Sequence, residues 1–324
     1  MIDFDKVFVT KLNTILIIKY MIDECVNKLM ENLPEYITNV EKPEKIDLIL
    51  EGGVFNGSYL VGALYFLKEM EKRKYLEIER VSGCSIGALI GFLYFINKLD
   101  LIPELYTIFD NELRNSYNLK FIKKIKKYLK KYIPKNICEI VNNRLYICYY
   151  NVKKQEKIVK SNYENVDDII SSIIKSCHVP FFIDGNILYK NKYVDGIIPY
   201  IFNVSEKKIL YLDLFGNDKR FNLISVKNEK NNFHRILYGL LDIHTFYIKQ
   251  QNTQMCSYVN DWNCLNNSSY YLKYLFEKIC IFVISIFIFI KEYIFQHIKN
   301  TISYKILYKI TQDIFIILFE NYCL

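Results

Sequence analysis

Two short apolar runs, each followed by a glycine-rich turn and a helical pattern, stand near the start of the chain. Residues 45–50 (KIDLIL) predict a strand, residues 51–57 (EGGVFNG) predict a loop, and the apolar spacing over 59–72 predicts a helix. The same order returns with a strand predicted at 78–82 and an apolar helix at 86–97. Two such units in succession predict a largely parallel sheet with a site at the carboxyl ends of its strands.

The turn between the second strand and its helix carries a candidate nucleophile. Seven of the eleven glycines lie between Gly52 and Gly91, where the backbone must turn tightly or approach another group closely. Gly83 and Gly87 flank Ser85 in a G-x-S-x-G sequence, which is typical of a strained turn that exposes a serine hydroxyl at a helix N-terminus. The alternative is that these glycines only let helices pack closely on strands.

The upstream glycines complement this serine. Gly52 and Gly53 offer backbone N–H groups, and the helix that follows Ser85 offers a second set. Two sets of donors that face one point form an oxyanion hole, which stabilises the tetrahedral intermediate of acyl transfer. The two turns together therefore indicate nucleophilic attack by Ser85 on an acyl carbonyl.

A serine nucleophile needs a base, and a carboxylate is the best candidate here. None of the four histidines lies in a recognisable motif. They are His178, His234, His244 and His297. Burial can raise the pKa of a carboxylate toward neutrality, so that it acts as a base. Asp195 ends the run 188–195 and precedes Gly196, which lets the backbone reverse and aims the carboxylate. An ordinary hairpin turn fits the same dipeptide, as it does at Asp184-Gly185.

These motifs together resemble the patatin-like phospholipases. The glycine loop, the G-x-S-x-G turn and the distant Asp-Gly occur in the family's order within residues 45–215, and residues 176–180 (SCHVP) resemble the family's approach to its catalytic aspartate. The resemblance implies an α/β fold with three layers around a mostly parallel central sheet, extended by helices at both ends. It implies a lipid acyl hydrolase of the phospholipase A type that uses a Ser85–Asp195 dyad, with no metal or other cofactor.

The resemblance also assigns the remaining residues of the site. Asp195 accepts the Ser85 proton, Ser85 attacks the ester, and water then releases the acyl group. The implied oxyanion hole consists of backbone amides of Gly52, Gly53, Val54, Gly57 and Ile86. The implied turn glycines are Gly83, Gly87 and Gly196.

Three positions depart from the family's pattern. Val54 stands at the third of three consecutive glycines, Asn56 stands at a basic position, and Ile197 stands at a second glycine after the aspartate. A β-branched residue is strained at positive φ, and loss of the basic residue removes a charge that could steady the loop. These departures support a second hypothesis, a non-catalytic membrane-associated protein that keeps the fold.

A third hypothesis is a serine esterase of the α/β-hydrolase type. Ser85, Asp195 and either His234 or His244 follow that fold's chain order. Against it, Asp195 lies in an Asp-Gly turn and neither histidine lies in a glycine-rich loop. Substitution of both histidines distinguishes the two mechanisms, because the dyad predicts retained activity.

Composition agrees with a protein that works on lipid inside the cell. The chain has a net charge of +8 and 51% hydrophobic residues. Its nine cysteines are scattered, and its first residues lack the basic start of a signal peptide, which predicts an intracellular compartment. No recognised nucleic-acid-binding fold accompanies the charge, so no nucleic-acid partner is expected.

Much of the positive charge lies in Lys120–Lys135 (KFIKKIKKYLKKYIPK), which predicts a basic amphipathic helix. Its apolar face consists of Ile122, Ile125, Leu129 and Tyr132. Such a helix suits an anionic membrane surface, where each lysine near the headgroups contributes about 1 kcal/mol. Equally, the apolar face can pack on the domain and leave the lysines in water.

A second apolar segment, Ile279–Ile290, lies near the C-terminus. It is shorter than the roughly twenty residues that a membrane-spanning helix needs, so a buried or interfacial helix is the default. Aromatic residues at 270–276 and 293–295 could extend it to a transmembrane helix. We therefore expect membrane association through this segment, through Lys120–Lys135, or through both.

The chain divides into three predicted parts. Residues 1–44 form a helical extension whose main helix covers 15–30. Residues 45–229 form the Ser-Asp hydrolase domain, and residues 230–324 form a helical, hydrophobic C-terminal region after a polar break.

Overall fold

The computed structural model describes residues 4–204, 206–216, 225, 226, 229 and 231–293, with single helical positions between 306 and 321. Its centre is a seven-stranded mixed sheet with helices packed against it, which is the predicted three-layer α/β fold. The strands are β1 Glu44–Leu50, β2 Leu76–Cys84, β3 Leu145–Asn151, β4 Glu156–Lys160, β5 Tyr193–Asp195, β6 Lys208–Leu212 and β7 Cys256–Tyr258. Their order is β4-β3-β2-β1-β6-β7, and β5 also pairs with β3.

The four strands β1, β2, β3 and β6 are parallel to one another, whereas β4, β5 and β7 are antiparallel to their partners. Leu50 is level with Gly83 of β2 and with Leu212 of β6. The carboxyl ends of the central strands therefore meet at one edge of the sheet. This edge is where the sequence predicts the site.

The helices within the described residues precede β1, connect the strands and follow β7. They are α1 Phe4–Glu31, α2 Glu35–Thr38, α3 Gly57–Lys72, α4 Ile86–Phe95, α5 Ile102–Ser116, α6 Ile125–Leu129, α7 Ile137–Val141, α8 Val166–Ser176, α9 Phe233–Lys249 and α10 Cys264–Tyr293. The two predicted strand, turn and helix units are confirmed as β1–α3 and β2–α4. The first helix begins well before the predicted residue 15.

The first strand is apolar on both faces because both faces are covered. Ile46, Leu48 and Leu50 lie in the main core, whereas Ile49 packs with Tyr211 in a second cluster on the opposite face. A strand buried on both faces reads as a continuous apolar run rather than an alternating one. This explains why the short KIDLIL pattern predicted a strand correctly.

The region after residue 230 contributes to the central fold. Gly62 of α3 and Gly239 of α9 let these helices approach so closely that a side chain at either position would overlap the backbone of the other helix. The strand β7 pairs with β6 at the edge of the sheet, although only helices were predicted in this region. Its three residues are too few to show a period of two. The division at residue 229 stays a prediction.

The basic segment Lys120–Lys135 does not form one amphipathic helix. It contains a 3₁₀ turn at Lys120–Lys124, then the short helix α6, and a second 3₁₀ turn at Lys130–Tyr132. Ile122, Ile125 and Leu129 are buried in the main core, so the apolar face packs on the domain. Lys123 pairs with Asp184, and Lys126 pairs with Asp167.

The long helix α10 contains the predicted apolar segment 279–290. On its inner side Ile281 packs with Tyr150 and Val194. Its outer side exposes large apolar side chains. They are Leu265, Tyr271, Leu272, Tyr274, Leu275, Phe276, Ile279, Phe282, Val283, Ile286, Phe287 and Phe289. Within the part of the chain that the structure describes, no helix combines the length and the apolar character needed to cross a membrane.

Candidate active site

Ser85 lies on a tight turn between the end of β2 at Cys84 and the start of α4 at Ile86. Its backbone has φ 51° and ψ −129°, a conformation that is strained for a residue with a side chain. A Cβ atom at Gly83 would lie 2.6 Å from the carbonyl oxygen of Gly87, so a side chain there would overlap the backbone. The sequence prediction of an elbow that presents a serine therefore matches the local geometry.

The carboxylate of Asp195 lies beside this serine. Strand β5 pairs antiparallel with β3 and ends at Asp195, which is 7% exposed. The Asp195 amide donates to the His178 carbonyl at 3.0 Å, and its Oδ1 accepts from the Ile197 amide at 2.8 Å. Burial raises the pKa of Asp195 to about 6, although hydrogen bonds from the Ser85 hydroxyl and the Ile197 amide oppose the rise. A carboxylate with this pKa can accept a proton near neutrality.

The turn after Asp195 uses its two residues differently from the prediction. Gly196 is required for close approach, because a Cβ atom there would lie 2.6 Å from the Cys148 carbonyl oxygen. The left-handed backbone that reverses the chain occurs at Ile197, with φ 58°. A left-handed conformation costs a non-glycine residue about 1–3 kcal/mol. The Cys84 thiol donates to the Ile197 carbonyl at 3.2 Å, which helps to hold the turn.

The glycine loop, defined here as residues 51–57, passes next to the elbow. A Cβ atom at Gly52 would lie 3.1 Å from the Cβ of Ser85. Val54 has φ 42°, in the left-handed region that glycine adopts freely. The Asn56 amide donates to the Gly53 carbonyl at 2.8 Å and closes a 3₁₀ turn. The valine therefore occupies a glycine-like backbone, as the resemblance implied, and is strained there.

Backbone amides near Ser85 remain as donors. The N–H groups of Gly53 and Ile86 have no hydrogen-bond acceptor among the described residues. The amide of Ser85 itself is occupied, since it donates to the Ser176 hydroxyl. Gly57 starts α3, and a Cβ atom there would lie 2.5 Å from the Ile86 side chain, so this glycine allows helix packing.

Ser176 is a residue of the site that sequence reasoning did not single out. Its side chain is fully buried at the end of α8. The hydroxyl accepts from the Ser85 amide at 2.8 Å and donates to the Cys148 carbonyl at 2.6 Å. It thereby ties the elbow to β3. The only sequence signal was its place at the head of the segment 176–180.

An apolar cleft opens at Ser85. It encloses about 470 Å³, part of it open to solvent. The lining consists of Val54, Phe55, Ser85, Ile86, Phe109, Leu119, Ile122, Cys177, Val179, Phe182 and Ile183. A second cavity of about 320 Å³ shares Val54, Phe55, Ile86 and Phe109 and extends toward Ile90. Among the described residues, neither lining contains a charged side chain.

The histidines have other surroundings. His234 is exposed on α9, 3.4 Å from Glu229. His244 packs edge-on against Phe66, with the ring centroids 5.7 Å apart. The ring of His178 packs near Tyr189, and only its backbone carbonyl contacts Asp195. His297 lies outside the described residues. Among the described residues, the ionisable group next to the Ser85 hydroxyl is therefore the Asp195 carboxylate.

Comparison with known proteins gives a family match over the part of the chain that contains this site. Residues 48–199 match the family described as patatin-like phospholipase. 1-Acylglycerol-3-phosphate O-acyltransferase Pnpla3 of Mus musculus is 25% identical over 161 residues, which are 46% of this chain and 38% of that protein. Omega-hydroxyceramide transacylase of Homo sapiens is 23% identical over 155 residues, 45% of this chain and 29% of that protein. 1-Acylglycerol-3-phosphate O-acyltransferase PNPLA3 of Homo sapiens is 27% identical over 146 residues, which are 42% of this chain and 30% of that protein. The chain therefore spans less than half of these relatives.

Proposed function

Since the chain carries a patatin-like phospholipase domain at residues 48–199, we propose that it is a lipid acyl hydrolase of the phospholipase A type. Carboxylic esters are cleaved by Ser85 as nucleophile and Asp195 as base. One observation carries the proposal. The serine lies on a strained turn next to a buried carboxylate whose pKa is raised to about 6, at the mouth of an apolar cleft.

The reaction follows from the positions of these groups. Asp195 accepts the hydroxyl proton while the Ser85 oxygen attacks the ester carbonyl. The amides of Gly53 and Ile86 donate to the oxyanion, aided by the positive end of α4. Asp195 returns the proton to the leaving alcohol, and the acyl group stays on Ser85. Water, deprotonated by the same carboxylate, then attacks the acyl-enzyme and releases the fatty acid.

The cleft defines the substrate class. Its lining is almost entirely apolar and begins at Ser85, so a fatty acyl chain fits it better than a polar acid does. The second cavity continues past Val54 and Phe109 into the packed helices, which gives room for a longer chain. The polar headgroup remains outside, where the mouth of the cleft meets solvent.

A second candidate is transfer of the acyl group to an alcohol instead of water. Two of the relatives are named as an O-acyltransferase and a transacylase. The same acyl-enzyme serves both reactions, because only the second nucleophile differs. The ratio of acylated acceptor to free fatty acid, measured with monoacylglycerol present, decides between them.

We further propose that the protein works at a lipid surface. The outer side of α10 exposes a long row of apolar side chains. Phe287 of this row contacts Phe181, with the ring centroids 5.3 Å apart, and the next residue, Phe182, lines the cleft. An apolar surface thus runs from α10 to the mouth of the cleft. Exposed lysines of Lys120–Lys135, such as Lys124 and Lys127, can contact anionic headgroups.

The first test is release of fatty acid from phospholipid vesicles in the presence of a calcium chelator. We expect the wild type to be active and Ser85→Ala to be inactive, with both folded to the same degree. Since Asp195 acts as the base, Asp195→Asn should lower the rate by about a hundredfold or more. A folded wild-type protein that hydrolyses no lipid ester would instead support the non-catalytic hypothesis.

A further inference from the structure

The glycine loop is held at its start by a half-buried lysine, Lys273, from α10. Glu51, 1% exposed, directly precedes Gly52. Its Oε1 accepts from the Tyr211 hydroxyl at 2.8 Å and from the Lys273 ammonium at 2.9 Å, and its Oε2 accepts from the Leu214 amide at 2.8 Å. Both carboxylate oxygens are therefore satisfied, and the backbone that enters the loop is fixed.

The same lysine also reaches the end of β6. The Lys273 ammonium donates to Asp213 Oδ2 at 2.8 Å, so it bridges the ends of two neighbouring strands. Burial and the neighbouring Asp213 raise the pKa of Glu51 to about 8, whereas the pKa of Asp213 is lowered by hydrogen bonding to Glu51 and Lys273 despite its burial. Removal of the Lys273 cation would leave the buried Glu51 and the half-buried Asp213 without their positively charged partner, which is strongly destabilising.

The other end of the loop is held by a buried arginine from α9. Asn56 is fully buried, and its Oδ1 accepts from Arg235 Nη1 at 2.9 Å. Arg235 is 1% exposed and also donates to Glu229 Oε1 at 2.6 Å and to the Ser225 carbonyl at 2.8 Å. The sequence lacks a basic residue at position 56, but the fold places a guanidinium against that position from a distant helix.

We propose that Lys273 and Arg235 are positioning residues for the glycine loop. They hold its two ends so that the Gly53 amide faces the reacting carbonyl. Both cations lie beyond the family match at 48–199, so the C-terminal region completes the catalytic machinery. The expected fall in kcat rests on the proposed hydrolase function, whereas the expected loosening of the glycine loop does not.

The strained Val54 explains why two anchors are needed. A β-branched residue at φ 42° is held there only if the surroundings over-determine the backbone. Lys273 fixes the loop three residues before Val54, and Arg235 fixes it two residues after. A loop free at either end could relax to a more favourable conformation and carry the Gly53 amide away. A misplacement of about 1 Å can lower a rate about a hundredfold.

The test uses two cation variants of the full chain, each with a matched alanine control, and one rescue variant. Lys273→Met and Arg235→Met remove the cations but keep the apolar part of each side chain. Ile281→Ala weakens the packing of α10, and Ile236→Ala weakens that of α9, without touching Glu51 or Asn56. For each variant we would measure the free energy of unfolding, kcat and KM on a soluble short-chain ester, and amide hydrogen exchange of residues 52–57.

We expect the two cation variants to lower kcat by about ten- to a hundredfold with KM little changed, because the loop acts in the transition state. Exchange of the loop amides should become faster in both. The alanine controls should lose comparable stability yet keep kcat within about threefold. Lys273→Arg keeps a cation at this position and should keep most of the wild-type rate. If Lys273 acted only through packing, this recovery would not be expected.

Two results would overturn the proposal. One is equal kcat loss in the cation variants and in the alanine controls, which would make the effect a general consequence of loosened helices. The other is unchanged exchange of residues 52–57 in Lys273→Met. If Arg235→Met does not fold, the comparison of Lys273→Met with Lys273→Arg decides whether the cation positions the loop. Because exchange needs no turnover, a wild-type protein without esterase activity would reject the proposed function while the loop is still tested.

Discussion

The two glycine turns that meet at Ser85 tolerate substitution differently. The elbow keeps Gly83 and Gly87, where an added Cβ would lie 2.5–2.6 Å from backbone atoms of the neighbouring strand or helix. In the glycine loop, Val54 stands where the family's pattern has a glycine, and it adopts the left-handed backbone. Glycine is thus kept where backbone blocks a side chain. It is replaceable where only a dihedral angle is required, at a cost of about 1–3 kcal/mol.

The largest effect should come from Gly87→Ala, which adds a methyl group to the elbow. That methyl would lie 2.5 Å from the Leu50 carbonyl oxygen, and the sheet prevents this oxygen from moving. We expect a loss of about 3 kcal/mol or more in unfolding free energy, together with loss of activity. Chemical denaturation measures the first and ester hydrolysis the second.

Gly91→Ala is the matched control one helical turn later. Its added Cβ would meet side-chain atoms of Val81 and Leu145 at 3.1 and 3.2 Å, and these can shift. A smaller loss than at Gly87 is therefore expected. Equal losses at the two positions would mean that the elbow has no special steric demand.

Ser176→Ala should have the next largest effect, because it removes the bond that ties the elbow to β3. The Ser85 amide and the Cys148 carbonyl lose a buried partner, which destabilises the protein by about 1–3 kcal/mol. We also expect a lower kcat, since the elbow is less well fixed. Ser172→Ala is the control, because that buried hydroxyl donates to the Asp168 carbonyl, one turn earlier in α8. Equal kcat values for the two variants would remove Ser176 from the site.

The pH dependence of activity separates the role of Asp195 from that of the glycine loop. Asp195 must be ionised to accept a proton, and its pKa is raised to about 6 by burial. Activity should therefore rise about tenfold per pH unit below pH 6 and level off above it. A glycine-loop variant such as Val54→Gly should change the height of this profile but not its midpoint. A midpoint that moves with Val54→Gly would show that the glycine loop and Asp195 do not act independently.

The smallest effect should come from Val54→Gly itself. Glycine removes the left-handed strain but loses backbone entropy and the contacts of the valine side chain, so we expect a net change in unfolding free energy within about 1 kcal/mol. Val54→Ala keeps the strain and loses the contacts, so it should be less stable than Val54→Gly. If alanine proves as stable as glycine, the backbone at this position is not strained.

The sequence predicts the elements that local patterns define, and little beyond them. β1, α3, β2 and α4 follow from apolar runs and glycine positions, and the Ser85 elbow follows from its five-residue motif. β7 was missed because three residues carry no period. The Lys120–Lys135 segment was expected as one helix, but its apolar side chains pack in the core through two 3₁₀ turns and a short helix.

The contacts between distant residues could not be predicted from local patterns. Ser176 and Arg235 act on Ser85 and Asn56 across 91 and 179 positions of the chain. Nothing in the sequence around Asn56 indicates that a guanidinium from α9 replaces its missing charge. The positive φ at Ile197 was likewise not predicted, because Gly196 beside it was expected to provide the chain reversal after Asp195.

The most direct test of the dyad is covalent labelling of Ser85 by an alkyl fluorophosphonate, with the rate and the modified residue measured by mass spectrometry. We compare the wild type with Asp195→Asn and with the double variant His234→Ala, His244→Ala. The account predicts rapid labelling at Ser85 in the wild type and the histidine variant, and labelling about a hundredfold slower or more in Asp195→Asn. Labelling that is unaffected by Asp195→Asn but lost without the histidines would contradict it.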